Sequence, residues 1–179
     1  MKKKFVNKVE DFELSAADAA GKYQELDNAI SFALPDIEPA TEEISGYAGL
    51  AGTIELPDWS NAGAPEVSFK FSRIPENGNL ILNPSGVKAK ASWAESLVDE
   101  SGNVTYEAYS VYVEGKPKNI PGGDKQKGNK PEVEIKIACS KYTLKKGDIT
   151  IFNYDPMNGK VEIYGVNYAA GAKNALTQN

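Results

Sequence analysis

The stretch Val133-Glu134-Ile135-Lys136-Ile137-Ala138-Cys139 decides the fold class of this chain, because an apolar residue occupies every second position. Successive side chains of a β-strand point to opposite faces, so this pattern predicts a strand with one buried face. The same alternation recurs in Val67-Ser68-Phe69-Lys70-Phe71. Short turn sequences such as Asp155-Pro156-Met157-Asn158-Gly159 separate the runs, and strands joined by short turns are antiparallel. The sequence therefore predicts a mainly β protein, an antiparallel two-sheet sandwich or barrel with a short peripheral helix.

The same reading along the chain gives the expected elements. Strands are predicted near residues 5–14, 29–38, 50–57, 66–73, 87–98, 104–115, 132–144, 148–155 and 160–167. Asn79 to Asn83 predicts a brief helical turn that stops before Pro84, and Ser15 to Glu25 predicts a helix with Ser15 as its N-cap. We expect a single domain over residues 1–179, with long loops at about 36–52 and 116–131 and a mobile tail after about residue 167.

Composition excludes several kinds of chemistry. The chain has 179 residues and no histidine, so the commonest general base and metal ligand is missing. Cys139 is the only cysteine and falls in an apolar strand pattern, so we expect a core residue and no thiolate metal cluster. The net charge of −5 argues against general nucleic-acid binding. We therefore expect no enzyme, cofactor, metal or membrane anchor, and a protein made in a cytosol.

Charge is divided between two long stretches. Tyr23 to Phe69 contains nine acids and no lysine or arginine, whereas Lys116 to Lys146 contains nine lysines and three acids. Oppositely charged surfaces on one small protein allow copies to attract each other head to tail.

No motif in the sequence pairs a nucleophile with a base. Gly122-Gly123-Asp124-Lys125-Gln126-Lys127-Gly128 lacks the spacing of a phosphate-binding loop and is interpreted as a flexible basic loop. Asp99-Glu100-Ser101-Gly102-Asn103 lacks the frame of a calcium loop and is interpreted as a hairpin tip. The many tyrosines leave open a second class of function, a monomeric β-sandwich that binds carbohydrate.

Three segments carry a resemblance to a known family. The first is the strand Ile30–Pro35 followed by the glycine-spaced Glu43–Gly52, the second is Tyr112–Lys118, and the third is the terminal pair of strands, Val133–Tyr142 and Ile149–Val166. Their order resembles the major tail tube protein of contractile-tailed phages, a family related to the tube proteins of R-type bacteriocins and type VI secretion. The segment from Asn79 is shorter than the helix that this family carries on the outside of its ring.

The resemblance implies hexameric rings that stack into a hollow conduit for DNA within a contractile sheath. The partners that it implies are further copies of the chain and the sheath, tape measure, baseplate and tail terminator proteins. It also implies a place in the virion tail, assembled in the host bacterial cytoplasm. A tube of a phage-tail-like bacteriocin or injection system is the alternative within this class.

Two surfaces follow as hypotheses. We expect the acidic 36–52 loop of one ring to meet the basic 116–131 loop, or Lys145 and Lys146, of the next ring. The candidates for ring stacking are Glu42, Glu43, Ile44, Tyr47, Leu50, Lys116, Lys118, Lys125, Lys127, Lys145 and Lys146. The candidates for the lumen wall are Ser68, Lys70, Ser72, Glu134 and Lys136.

Overall fold

The computed structural model describes residues 3–171 except 48, 50, 124 and 125. The strands are β1 (Lys4–Ala17), β2 (Tyr23–Glu25), β3 (Ala29–Ala33), β4 (Pro39–Ile44), β5 (Ile54–Ala62), β6 (Glu66–Phe71), β7 (Val87–Asp99), β8 (Val104–Pro117), β9 (Val133–Lys146), β10 (Ile149–Asp155), β11 (Lys160–Ile163) and β12 (Val166–Asn167). The helix α1 (Gly78–Ile81) precedes β7, and short 3₁₀ turns occupy Pro156–Asn158 and Tyr168–Ala170.

All strand pairs described are antiparallel. Ten strands form one sheet in the order β12-β11-β10-β9-β8-β7-β1-β2, with β6 paired to β9 and β3 paired to β6, while β4 and β5 form a separate hairpin. The long strand β9 holds this arrangement together, because its first half pairs with β6 and its second half with β10, both on the edge away from β8. The predicted mainly β, antiparallel fold is confirmed.

The core lies inside this curled sheet. The alternating residues Val67, Phe69 and Phe71 of β6 are fully buried against the matching face of β9. Aromatic rings pack across this interior: the centre of the Phe32 ring of β3 lies 5.5 Å from that of Phe12 in β1 and 5.3 Å from that of Trp93 in β7. The result is a sandwich-like body with one apolar interior.

The helix α1 covers one side of the core. Ile81 is fully buried, and α1 packs against β7 and β1. The predicted helical turn near Asn79 is therefore confirmed. No helix among the described residues is long and apolar enough to cross a membrane.

Three expectations from the sequence need correction. The predicted helix from Ser15 to Glu25 is wrong: Ser15 to Ala17 end β1 and pair with Glu25 to Tyr23 of β2. The predicted 36–52 loop contains β4, which pairs with β5. The last predicted strand, 160–167, is divided into β11 and β12 at Tyr164 and Gly165, whose φ angles of 47° and 83° turn the chain back. The predicted tail beyond residue 171 lies outside the described residues.

Candidate assembly surfaces

The first surface is an acidic arm, which we define as residues 36–62 and which contains the β4–β5 hairpin. The arm contains six acids and no lysine or arginine, namely Asp36, Glu38, Glu42, Glu43, Glu55 and Asp58. Its base is closed where the amide of Gly63 donates to the carbonyl oxygen of Glu38 at 3.1 Å. Trp59 packs against the core, and β5 contacts β11 and the 3₁₀ turn at 168–170. The arm is therefore attached firmly at its base and projects from the body.

The register of the arm places like charges face to face. Glu43 lies directly opposite Glu55, and the neighbouring pair is Ile44 with Ile54. Directly opposed like charges destabilise a hairpin, and an isolated two-stranded hairpin is marginally stable. Ile54 and Leu56 remain 45% and 44% exposed in the part of the subunit that the structure describes. The arm thus offers both negative charge and apolar surface to a partner.

The tip of the arm needs glycine. Gly46, Gly49 and Gly52 have φ angles of 77°, 90° and 126°, in the region that only glycine adopts readily. Tyr47, between the first two, is 71% exposed. Leu50, the other predicted anchor at the tip, lies outside the described residues.

The second surface is a basic loop, which we define as residues 116–131. It is fixed at its base by Asn119, whose side chain accepts from the amide of Lys136 at 2.8 Å and donates to the carbonyl oxygen of Glu134 at 2.7 Å. Lys118 is paired with Glu66 of the same subunit, and this pairing lowers the pKa of Glu66. Lys116, Lys127 and Lys130 are exposed, while Lys125 lies outside the described residues. Among the described residues of this loop, the lysines that can bind a partner without losing an ion pair are therefore Lys116, Lys127 and Lys130.

Lys145 and Lys146 lie far from the basic loop. They end β9, whereas the loop precedes Val133 at its start, and a strand of this length spans roughly 40 Å. The Lys145 Nζ atom lies 5.5 Å from the centre of the Tyr112 ring. The Lys146 ammonium binds Glu107 at 2.5 Å, which raises the pKa of Lys146 and lowers that of Glu107. Both lysines already have partners within the subunit.

The acidic arm and the basic loop leave the body in opposite directions. Ala29 at the start of β3 pairs with Phe71, which pairs with Val133 beside the basic loop. From there β3 runs toward Ala33 and the level of Lys136, so the chain enters the arm while moving away from the loop. The two surfaces of opposite charge thus belong to opposite ends of the β6–β9 pair.

The predicted lumen candidates share one face. Ser68 lies opposite Lys136 and Lys70 opposite Glu134, on the side of β6 and β9 that points away from the buried phenylalanines. Ser72 follows the end of β6, and its amide donates to the carbonyl oxygen of Asn28 at 2.9 Å. The structure therefore brings these five predicted residues together.

The polar face that carries the five lumen candidates extends beyond them onto the neighbouring strands. Across β7 to β10, Glu114 lies 3.6 Å from Lys88 and 3.9 Å from Lys141, which in turn lies 3.5 Å from Asp155. Lys90 lies 5.6 Å from the centre of the Tyr112 ring. The sequence signal was present in β7, where Lys88 and Lys90 alternate with alanines. Of the lysines named on this face, Lys88 and Lys141 are thus paired with carboxylates, and Lys90 lies over an aromatic ring.

These features define a structural β-sheet protein whose charged surfaces face away from its own core. The family model described as phage tail tube protein FII matches residues 18–176. The chain therefore belongs to the phage tail tube protein FII family and is a structural subunit of the tail tube of a phage-like particle.

The chain resembles two solved structures at low sequence identity. One is the sheath/tube terminator of the PVC extracellular contractile injection system in the extended state, with 14% identity, 79% of this chain and 97% of that chain covered, and a TM-score of 0.52. The other is the PVC sheath–tube complex in the extended state, with 16% identity, 75% and 88% covered, and a TM-score of 0.47. The first of these shares the fold of this chain. No curated protein sequence matches the chain.

Proposed function

We propose that this subunit forms hexameric rings that stack into a hollow conduit for DNA inside a contractile phage tail, with residues 1–179 acting as one tube domain. The single observation that carries the stacking is the placement of the acidic arm and the basic loop at opposite ends of the β6–β9 pair. A contact between unlike surfaces of identical copies continues indefinitely instead of closing, so it produces a filament.

Ring closure in this proposal joins the sheets of neighbouring copies into one ring-wide β-barrel. The free edge of β1 supports this joining of sheets. One edge of β1 pairs with β7, and among the described strands the other edge pairs with β2 at Ser15 to Ala17. Unpaired strand edges favour addition of another chain, and a closed barrel removes them.

The polar face of β6 to β9 forms the lumen wall in this proposal. Lys88 and Lys141 of this face are paired with carboxylates, which reduces the free positive charge offered to the phosphates of passing DNA, so the DNA would move without specific binding. By family resemblance the outer partners are the sheath, tape measure, baseplate and terminator proteins, and assembly takes place in the cytoplasm of the host bacterium.

At each stacking contact, the acidic arm of one ring meets the basic loop of the next. Exposed ion pairs contribute little individually, so Ile44, Tyr47 and Leu50 supply apolar anchors beside Glu42 and Glu43. Of the two basic partners considered from the sequence, the basic loop is favoured over Lys145 and Lys146, since those two lysines already have partners within the subunit.

The test is electron microscopy and sedimentation of the purified protein at high concentration. We expect rings and tubes from the parent, and rings without tubes from the double variant Glu42→Lys with Glu43→Lys at the same salt concentration. A parent that remains monomeric would favour the carbohydrate-binding sandwich and end the proposal. Tubes of normal length from the double variant would show that charge pairing does not stack the rings.

A further inference from the structure

One part of the fold has apolar side chains on both faces. The strand segments 4–11 of β1, 94–99 of β7 and 104–108 of β8 extend beyond the body as three paired strands, which we call the ribbon. Phe5, Val98 and Val104 form one cross-strand row, and Val6, Leu97 and Thr105 form the next row. Consecutive rows point to opposite faces, so both faces of the ribbon carry apolar residues.

Much of this apolar surface is exposed in the single subunit. Phe5 is 58% and Tyr106 67% exposed on one face, while Val6 and Val9 are 64% and 52% exposed on the other. Together with Val104, these side chains present on the order of 500 Å² of apolar surface, divided between the two faces of the ribbon. A standard protein interface buries about 800 Å² per partner, so each face could supply part of the apolar centre of one.

The opposite end of the strand order offers a matching surface. There the turn between β11 and β12 exposes Tyr164 at 66% and Val166 at 56%, and Tyr168 beside them is 46% exposed. The ribbon includes β1, which lies next to β2 at one end of the strand order, and these residues lie in or beside β12 at the other end. A contact between two different surfaces of identical subunits closes into a ring when the rotation that it repeats is closed.

We propose that the ribbon of one copy packs across the β11–β12 end of a second copy and that this contact closes the ring. The inference rests on the proposed ring-forming function and names the surfaces that build it. The β-bulges between Val6 and Lys8 and between Val9 and Asp11 bend β1 and increase its twist, which directs the ribbon out of the plane of its own sheet and over a neighbour.

The first experiment places charge on the ribbon. Phe5→Glu with Val9→Glu changes one exposed residue on each face, so the isolated subunit should keep its circular dichroism spectrum and thermal midpoint. We expect the protein concentration at which rings form, measured by sedimentation, to rise at least tenfold. The matched control is Ile30→Glu with Ile74→Glu, which introduces the same two charges at positions 42% and 45% exposed outside the ribbon, the arm and the basic loop, and should leave ring formation unchanged.

The second experiment identifies the partner surface by cross-linking. Cys139 is buried and its burial raises the pKa of the thiol to about 12, so it does not compete with introduced cysteines. With a short flexible bis-maleimide, the double variant Val9→Cys with Val166→Cys should give a ladder of covalent oligomers up to the size of the ring. Either single variant should give at most traces of dimer.

The outcomes separate this inference from the proposed function. If the parent forms rings and the charged variant forms them equally well, or the double-cysteine rings give no ladder, the ribbon contact is wrong while the tube subunit stands. Efficient dimers from Val9→Cys alone would show ribbon-to-ribbon contact and also overturn the inference. A parent that forms no rings would remove both.

Discussion

At the scale of single residues, Gly115 is the position where the fold leaves least space. It lies at the register shift between β8 and β9, and a Cβ atom added there would lie 2.1 Å from the carbonyl oxygen of Ala138 and 2.9 Å from its carbon. Both atoms belong to backbone that cannot rotate away. Gly115 is therefore required by the close approach of two strands.

Gly115→Ala is predicted to destabilise the subunit by about 3 kcal/mol, since β8 and β9 must separate to admit the methyl group. Urea unfolding of the isolated subunit measures this change. The control is Gly122→Ala, where a Cβ atom would meet nothing within 4 Å, and its expected effect is within about 0.5 kcal/mol. Equal effects of the two substitutions would contradict the register between β8 and β9.

Asp155 makes the stability of the subunit depend on pH, and the direction of this dependence can be predicted. Burial alone would raise the pKa of Asp155, but the side chain of Asn158 at 2.7 Å and the ammonium of Lys141 at 3.5 Å outweigh burial and hold the pKa below its usual value. The unfolded chain has an Asp pKa of about 3.9. A carboxyl whose pKa is lower in the folded state stabilises the fold at every pH above the unfolded value, and this stabilisation is lost as the pH falls through the folded pKa.

Asp155→Asn keeps an oxygen for the cap and removes the charge. We expect the free energy of unfolding to fall by about 1–2 kcal/mol at pH 7 and the difference from the parent to shrink as the pH falls below about 3.9. Urea unfolding at pH 7 and at a pH below that value tests this. The control is Asp148→Asn, which removes an exposed carboxylate in the turn before β10 and should change the free energy of unfolding little at either pH. If the difference between Asp155→Asn and the parent grew in acid, the predicted sign of the pH dependence would be wrong.

At the scale of elements, the alternation of apolar and polar residues predicted most of the strands. The segments that it did not predict correctly were determined by pairing with other strands. The strand expected near residues 132–144 is β9, Val133–Lys146, because every second residue of its first half is buried. The helix expected from Ser15 failed because Ala16 is fully buried opposite Ala89, so the sheet overrides the local helix propensity. β4 was missed because Pro39 and consecutive acids give no alternation, and only its pairing with β5 makes it a strand.

The sequence predicted the charge of the acidic arm and of the basic loop, but not where each lies on the folded subunit. The acidic and basic stretches are plain in the sequence. Their separation depends on the register of β3, β6 and β9, which no local pattern specifies. The same holds for Lys145 and Lys146, whose partners Tyr112 and Glu107 come from a different strand.

The opposed pair Glu43 and Glu55 gives a prediction for the arm itself. Glu43→Lys replaces repulsion by attraction and should stabilise the free hairpin by about 0.2–1 kcal/mol. Amide exchange of β4 and β5 in the isolated subunit should therefore slow, while tube assembly weakens because the arm has lost negative charge. The control is Glu42→Lys, which lies opposite Leu56 and makes the same change of charge.

The two substitutions should thus weaken assembly alike but differ in the free subunit. Slower exchange of the arm in both variants, or in neither, would mean that Glu43 and Glu55 do not face each other across the hairpin.

At the scale of the whole molecule, the subunit carries opposite charge beyond the two ends of the β6–β9 pair. Its acidic arm and basic loop occupy opposite ends, so each copy carries both halves of the proposed contact. Each ring would repeat the contact once per subunit, and repeated weak contacts between rigid partners combine into strong association. This explains how ion pairs that contribute less than about 1 kcal/mol each could still hold a tube together.

This polarity predicts that two defective proteins will repair each other. Glu42→Lys with Glu43→Lys reverses the charge at two positions of the arm, and Lys127→Glu with Lys130→Glu reverses it at two positions of the loop. Like charges then meet at these positions when either variant stacks with itself, so neither variant alone should form tubes. Rings of the two variants prepared separately and then mixed should form tubes in which they alternate, because each reversed surface now meets its opposite on the other variant. Electron microscopy detects the tubes, and a label on one variant should repeat at every second ring. If the mixed rings remain unstacked while parent rings stack under the same conditions, the arm and the loop do not meet. If either variant alone forms tubes, charge does not govern the contact.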